Sequence, residues 1–259
     1  MRILVTFAVA AEFASWRRRH KFVRVLPLPT GLDLVRCPMF RAHLGEVETF
    51  VALTGIGPVR ARRAARYALQ ASPALCISSG LAGALKDSYS RGELLAAGEV
   101  TETRGKHVFR AAPELLERAV ACGARSVERF LTNSSVVSSA AAKRELGAQG
   151  DAVEMESAGV LAAAAAADVP AVAIRVISDE AGQDLPLDFN RVLTTRGKVR
   201  PVRLLSSIAA EPAALRGLLQ LAGDSRRGSS VLADFLDRYV ADLAEQRNAQ
   251  SAIAVAGRP

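Results

Sequence analysis

The run Val153-Glu154-Met155-Glu156-Ser157, the alanine-rich segment that continues it to Ala167, and the run Ala171-Val172-Ala173-Ile174-Arg175-Val176-Ile177-Ser178-Asp179 decide how this chain folds. The first places carboxylates at the mouth of an apolar helix expected over 155–167, whose alanines at 162–167 predict tight packing rather than disorder. The second predicts a strand over 171–177 with no polar alternation. Such a strand is buried on both faces, in a sheet sandwiched by helices. Acidic side chains beside so apolar a region are costly unless something pairs with them, so they mark a candidate site.

Outward from that stretch, runs rich in Val, Ile and Leu predict further strands at 3–9, 47–54, 74–79 and 127–131. Helical patterns fall between them at 58–71, 113–122 and 140–147. The alternation defines the α/β class, and 259 residues, 50% of them hydrophobic, suffice for one domain with a substantial core. Three strand ends carry small or acidic residues: Thr54-Gly55-Ile56-Gly57-Pro58, Ser78-Ser79-Gly80-Leu81-Ala82-Gly83, and Ser178-Asp179. Ligands of open α/β sheets bind beyond such carboxyl ends, where glycine lets backbone approach closely. Gly55-Ile56-Gly57 lacks the third glycine of a dinucleotide fingerprint, and Gly80 to Gly83 lacks the lysine of a P-loop, so neither motif is satisfied. Simple turns are the alternative for each cluster.

Residues 179–202 predict a long loop with a short helix around Phe189 to Leu193, of the length that forms active-site lids. Helical spacing follows over Leu204 to Leu221 and Val231 to Leu243, with a frayed, flexible tail from Gln246. The domain is thus expected to span 1–245, with 246–259 outside it.

The net charge of +8 comes with basic clusters at Arg17 to Lys21, Arg60 to Arg66 and Lys198 to Arg203. Those of 60–66 have the spacing of a solvated helix face, and aromatic residues for base stacking are scarce, which argues against nucleic-acid binding. Cys37, Cys76 and Cys122 are too widely spaced for zinc or a disulfide framework and fit a reducing, cytoplasmic setting. The apolar start of the chain has Glu12 and Arg17-Arg18-Arg19 on the wrong side for a signal peptide and predicts a first strand. The apolar run from Ala158 to Ala167 ends at Asp168, short of the ~20 residues of a membrane span.

In order along the chain, Glu12, Thr54-Gly55-Ile56-Gly57, Ser79-Gly80-Leu81-Ala82-Gly83, Val153-Glu154-Met155-Glu156 and Arg175-Val176-Ile177-Ser178-Asp179 resemble the purine nucleoside phosphorylase/uridine phosphorylase superfamily. The likeness runs from residue 1 to about 193 and is greatest to the methylthioadenosine/S-adenosylhomocysteine nucleosidases. The resemblance implies a single domain with a mixed central β-sheet flanked by helices, at least a dimer, and hydrolysis of an N-glycosidic bond with neither metal nor other cofactor. Cleaving a purine–ribose bond requires a better leaving group, a stabilised oxocarbenium ion and a positioned nucleophile. By the resemblance Asp179, kept protonated by desolvation, donates to the purine N7, and Glu12 orients and deprotonates water. Glu156 accepts from the ribose hydroxyls and Met155 packs on the sugar, while Ala82, Gly83, Val137 and Ser178 complete the substrate pocket. Glu154 has no assigned role.

The chain departs from the nucleosidase pattern at Leu81, where that pattern has a small polar residue, and near Val136-Val137, where it has an aromatic-aliphatic pair. Beyond about 193 the run Arg196-Gly197-Lys198-Val199-Arg200 and the helices after it resemble the hopanoid-associated members of the superfamily. Those are thought to release adenine from adenosylhopane, a lipid-linked nucleoside that would bring the protein into transient contact with a membrane surface. Phosphorolysis, and a nucleoside-binding protein without turnover, are the other readings. Ala10-Ala11-Glu12 stands where the phosphorylases carry a phosphate-binding Gly-Asp-Pro, and a carboxylate repels phosphate.

Overall fold

The computed structural model describes residues 1–25, 37–192 and 214–256. Their order is β1 (Arg2–Phe7), α1 (Ala10–Arg19), β2 (Val23–Val25), β3 (Met39–Leu44), β4 (Val47–Leu53), α2 (Pro58–Ala68) and β5 (Leu75–Ala84). Then follow β6 (Leu94–Glu102), β7 (Val108–Arg110), α3 (Pro113–Ala121), β8 (Arg125–Thr132), α4 (Ala140–Gly147), β9 (Ala152–Glu154), α5 (Ser157–Ala165), β10 (Ala171–Asp179), α6 (Phe189–Val192) and α7 (Ala214–Ala256). The strands form one mixed, ten-stranded sheet. β5 lies at its centre, parallel to β1 and β10 and antiparallel to β9. Because β10 also pairs with β6, β6 with β8, and β8 with β9, this end of the sheet closes on itself.

Side-chain alternation along the central strands sorts the core into two layers. In β10, Val172, Ile174 and Val176 face one layer, with Phe13 and Trp16 of α1, Leu115 of α3, and Leu232, Phe235 and Leu236 of α7. Ala171, Ala173 and Ile177 face the other, against Ala61 and Ala65 of α2 and Ala158, Val160 and Leu161 of α5. The small side chains of that second layer let α2 and α5 sit close to the sheet, which explains why the alanine run is buried helix. In α2 the arginines at 62, 63 and 66 are exposed while Ala61, Ala64, Ala65 and Ala68 are buried, the solvated face that the spacing predicts.

The single α/β domain with its mixed sheet and flanking helices is as expected. Several boundaries differ. β1 stops at Phe7, because the amides of Ala8 and Val9 turn toward Glu12 instead of the sheet. β5 runs on to Ala84, so the glycines expected to follow the strand lie within it, paired with β10 and β9. α5 starts at Ser157, Val153 and Glu154 being spent on β9.

The largest difference is at the C-terminus. α7 is one helix through Ala256, in place of two helices and a frayed tail; residues 204–213 of the first expected helix lie outside the described residues. Gly228 and Ser229 do not break it, because small residues are what the packing requires there. A Cβ at Gly228 would come within 3.1 Å of Leu81 Cδ2, and Ser229 Oγ donates to the Glu12 carbonyl at 2.8 Å. Further along, Trp16 Nε1 donates to Asp237 at 2.6 Å and Tyr239 Oη to the Leu115 carbonyl at 2.6 Å, tying α7 to α1 and α3. No helix among the described residues is long and apolar enough to cross a membrane.

Candidate active site

Glu12 occupies the first turn of α1, three residues after the cap residue Val9. Its Oε2 accepts the amides of Ala8 at 2.9 Å and Val9 at 3.2 Å, and its Oε1 accepts the amide of Leu81 on β5 at 3.0 Å. The carboxylate therefore satisfies donors that the helix start would leave orphaned and fastens α1 to β5. Burial pushes its pKa up; the Leu81 amide, the Arg175 charge and the Val9 and Ala8 amides pull the other way without cancelling it. A carboxylate so poised is a better base at neutral pH than an exposed one.

Glu154 lines the cavity and is paired with the buried Arg175. Arg175 Nη2 lies 2.7 Å from Glu154 Oε2 and also donates to Ser157 Oγ at 2.8 Å and Ser78 Oγ at 3.2 Å. Glu154 Oε2 further accepts the amides of Glu156 at 2.9 Å and Ser157 at 2.8 Å, while Oε1 accepts from Thr132 Oγ1. Glu154 thus acquires a role: it caps α5 from outside the helix and neutralises the arginine inside β10. Both of its oxygens are thereby engaged by protein donors, whereas Glu156, which also lines the cavity, accepts one amide.

Glu156 Oε1 accepts the amide of Gly57 at 3.0 Å, bringing the start of α2 beside the start of α5. Burial, with the negative charges of Glu154 and Glu12 adding to it, pushes this carboxyl up to about 8; the Arg175 charge and the Gly57 amide oppose the shift. Two buried acids, Glu12 and Glu156, thus share one cavity, where each discourages the other's ionisation.

Asp179 ends β10, where the pairing register with β5 shifts between Ile177 and Asp179. That irregularity sets Asp179 opposite Gly83 and turns it into the cavity. Its Oδ1 accepts from Ser178 Oγ at 2.6 Å, and its Oδ2 lies 2.5 Å from Nζ of Lys143, a fully buried lysine of α4. An ammonium thus stands beside this carboxyl, a partner that the sequence reading did not name. Gly83 is required by this approach, since a Cβ there would fall 2.8 Å from Asp179 Oδ2.

These groups converge on one cavity of about 320 Å³. Each residue named from sequence for the site, namely Glu12, Ala82, Gly83, Val137, Met155, Glu156, Ser178 and Asp179, lines it. Other wall residues come from segments that the sequence marked without naming these side chains for the site: Ile56 from the strand end at 54–58, Leu185 and Phe189 from the expected loop over 179–202, and Leu221 from the C-terminal helix. Arg175 had a usable signal, a charge inside an otherwise apolar strand, which demands a counter-ion. Lys143 had none. The loop after β10 is stitched to the segment before and within α4: Ala140 N donates to Asp184, Leu185 N to the Ser138 carbonyl, and Val136 N to Asn190. Its described part, to residue 192, borders the cavity at Leu185 and Phe189; residues 193–202 of the expected lid lie outside the described residues.

A mixed sheet with acidic groups gathered at one end of β10 and at the starts of α1 and α5 is the place where an α/β enzyme binds its ligand, and family comparison gives the class. The model of the Phosphorylase superfamily matches residues 34–208, and the chain belongs to that superfamily of N-glycosidic-bond-cleaving enzymes. A 5'-methylthioadenosine/S-adenosylhomocysteine nucleosidase of Oceanobacillus iheyensis is 25% identical over 191 residues, covering 64% of this chain and 83% of that one. Among solved structures, the 5'-methylthioadenosine/S-adenosylhomocysteine nucleosidase of Helicobacter pylori with butyl-thio-DADMe-Immucillin-A superposes with a TM-score of 0.72 at 17% identity, over 93% of this chain and 98% of that one. A futalosine hydrolase mutant of the same organism gives 0.71 at 16% identity, over 93% and 99%. These structures share the fold.

Proposed function

We propose that the chain is a purine nucleosidase that hydrolyses the N-glycosidic bond of an adenosine derivative and releases adenine. Asp179 is the general acid at the departing base, Glu12 takes the proton of the attacking water, and Glu156 holds the ribose hydroxyls with Met155 against the sugar. Ala82, Gly83, Val137 and Ser178 shape the pocket.

The observation that carries hydrolysis over phosphorolysis is the place of the Glu12 carboxylate. A helix N-terminus is a ready anion site, yet here the amides of Ala8 and Val9 are already engaged by Glu12 Oε2. A phosphate would have to displace a carboxylate and then lie beside its charge, whereas a neutral water gains a base. On the other side, Leu81, Leu185, Phe189 and Leu221 form an apolar wall, which favours an apolar ribose substituent such as a thioether or a lipid chain over a charged one. The reading carries with it a homodimer in a reducing cytoplasm, in keeping with unpaired Cys37, Cys76 and Cys122, and no resident cofactor or nucleic-acid partner. Contact with a membrane surface would accompany only a lipid-linked substrate.

The test is product analysis on methylthioadenosine, S-adenosylhomocysteine, futalosine and adenosylhopane, each with and without phosphate. Free ribose-side product and adenine without phosphate support the reading. Turnover strictly dependent on phosphate, with a sugar 1-phosphate formed, refutes it; binding with no product would make this a nucleoside-binding protein.

A further inference from the structure

Lys143 is buried on α4, and its ammonium has every donor direction engaged: Asp179 Oδ2 at 2.5 Å, the Glu180 carbonyl at 2.8 Å and the Gln183 carbonyl at 2.9 Å. Among the described residues no other Lys, Arg or His lies within ion-pair distance of Asp179. A lysine with its whole side chain out of water must be held by something, and here that something is the carboxylate read above as the general acid. The groups that face this pair are few. The Glu180 side chain is directed to Arg91 at 3.7 Å, Asp184 accepts the Ala140 amide, Glu12, Glu154 and Glu156 line the same cavity, and Arg175 is paired with Glu154.

A carboxylate paired with an ammonium has no proton of its own to give, yet the pair as a whole carries one. We propose that Lys143 is a positioning residue that stores the proton Asp179 delivers to the departing base; the proposal rests on the nucleosidase reading. The proton moves from Nζ to the Asp179 carboxylate, converting an ion pair into a neutral lysine and a carboxylic acid. Asp179 then protonates a ring nitrogen as the glycosidic bond breaks and its electron pair passes to the base. Water adds to the sugar carbon and gives a proton to Glu12. Proton release from Glu12 to solvent and uptake by Lys143 restore the starting state. The same lysine ties the acid to the loop at 180–183.

Two variants test this. In Lys143→Met, close in size and uncharged, Asp179 must carry the proton by itself. Relative to wild type at the same pH, kcat/KM for the adenosine derivative that the enzyme cleaves should fall about 100-fold at pH 8 and recover to within about tenfold at pH 5, since general acid catalysis is worth that order. Cleavage of 4-nitrophenyl riboside, whose leaving group needs no proton, should change less than about threefold at either pH, as only the acid-dependent part of the barrier is lost. Taking the ratio to wild type cancels the titrations of Glu12 and Glu156. In Lys143→Arg the charge stays but the guanidinium does not release its proton, so the loss should be present at both pH values. A Lys143→Met loss that is equal at both pH values, or wild-type activity of Lys143→Arg on the nucleoside, overturns the proposal. If Lys143→Met does not fold, Lys143→Arg decides. Wild type that releases no adenine from any derivative would instead sink the nucleosidase reading itself.

Discussion

Arg175 and Glu154 form a 2.7 Å ion pair beneath the site, and neither side chain reaches solvent. Breaking such a pair strands the remaining charge in the core. Arg175→Met should therefore lower unfolding free energy by about 3–5 kcal/mol in urea titrations. The joint replacement Arg175→Met with Glu154→Gln should lose less than Arg175→Met alone. Stability of Arg175→Met within about 0.5 kcal/mol of wild type would show that the pair is not what holds α5 to β10.

Asp179→Asn keeps the shape of the side chain but removes its ability to give up a proton. Turnover should fall about 10²- to 10⁴-fold, while calorimetric affinity for an unreactive adenosine analogue stays within about threefold. Equal losses of turnover and affinity would assign Asp179 to binding only.

Gly83→Ala places a methyl group 2.8 Å from Asp179 Oδ2. The carboxylate has to shift, so kcat should drop at least about tenfold through misplacement of a group that must be aligned. Unchanged kcat in a folded Gly83→Ala protein would mean that the carboxylate position matters little to the reaction.

The raised carboxyl of Glu156 makes the ligand-free protein sensitive to pH. In the native state it titrates near 8, above its ordinary value of 4.5, so between these values the folded protein binds the additional proton. Stability from this group is complete below about 4.5 and is lost as the pH rises toward 8. The thermal midpoint should therefore decline across that window, and Glu156→Gln should flatten the decline. A wild-type midpoint that rises from pH 5 to 8, with Glu156→Gln parallel to it, would contradict the shift.

Much of the fold was legible because burial leaves a mark on composition. Continuous Val and Ile at 172–177 could only be a central strand, and the predicted helix at 140–147 coincides with α4. Short strands such as β2, β7 and β9 were not legible, since three residues carry too little periodicity. The unbroken α7 was hidden for another reason. Gly228 and Ser229 carry the local signature of a break, but a helix pressed against β5 and β10 needs small residues at its closest point.

The site divides along the same line. Sequence by itself determined the α/β class from local pattern and, through the superfamily resemblance, singled out Glu12, Glu156 and Asp179, which line one cavity. Only the tertiary structure decided which distant partner each acid has: the Leu81 amide for Glu12, the Gly57 amide for Glu156, and the ammonium of Lys143 for Asp179. Those partners are far apart in the chain and are brought together by sheet register and helix packing. A side chain's charge state depends on such neighbours and on burial, so it is a property of the folded molecule rather than of the residue.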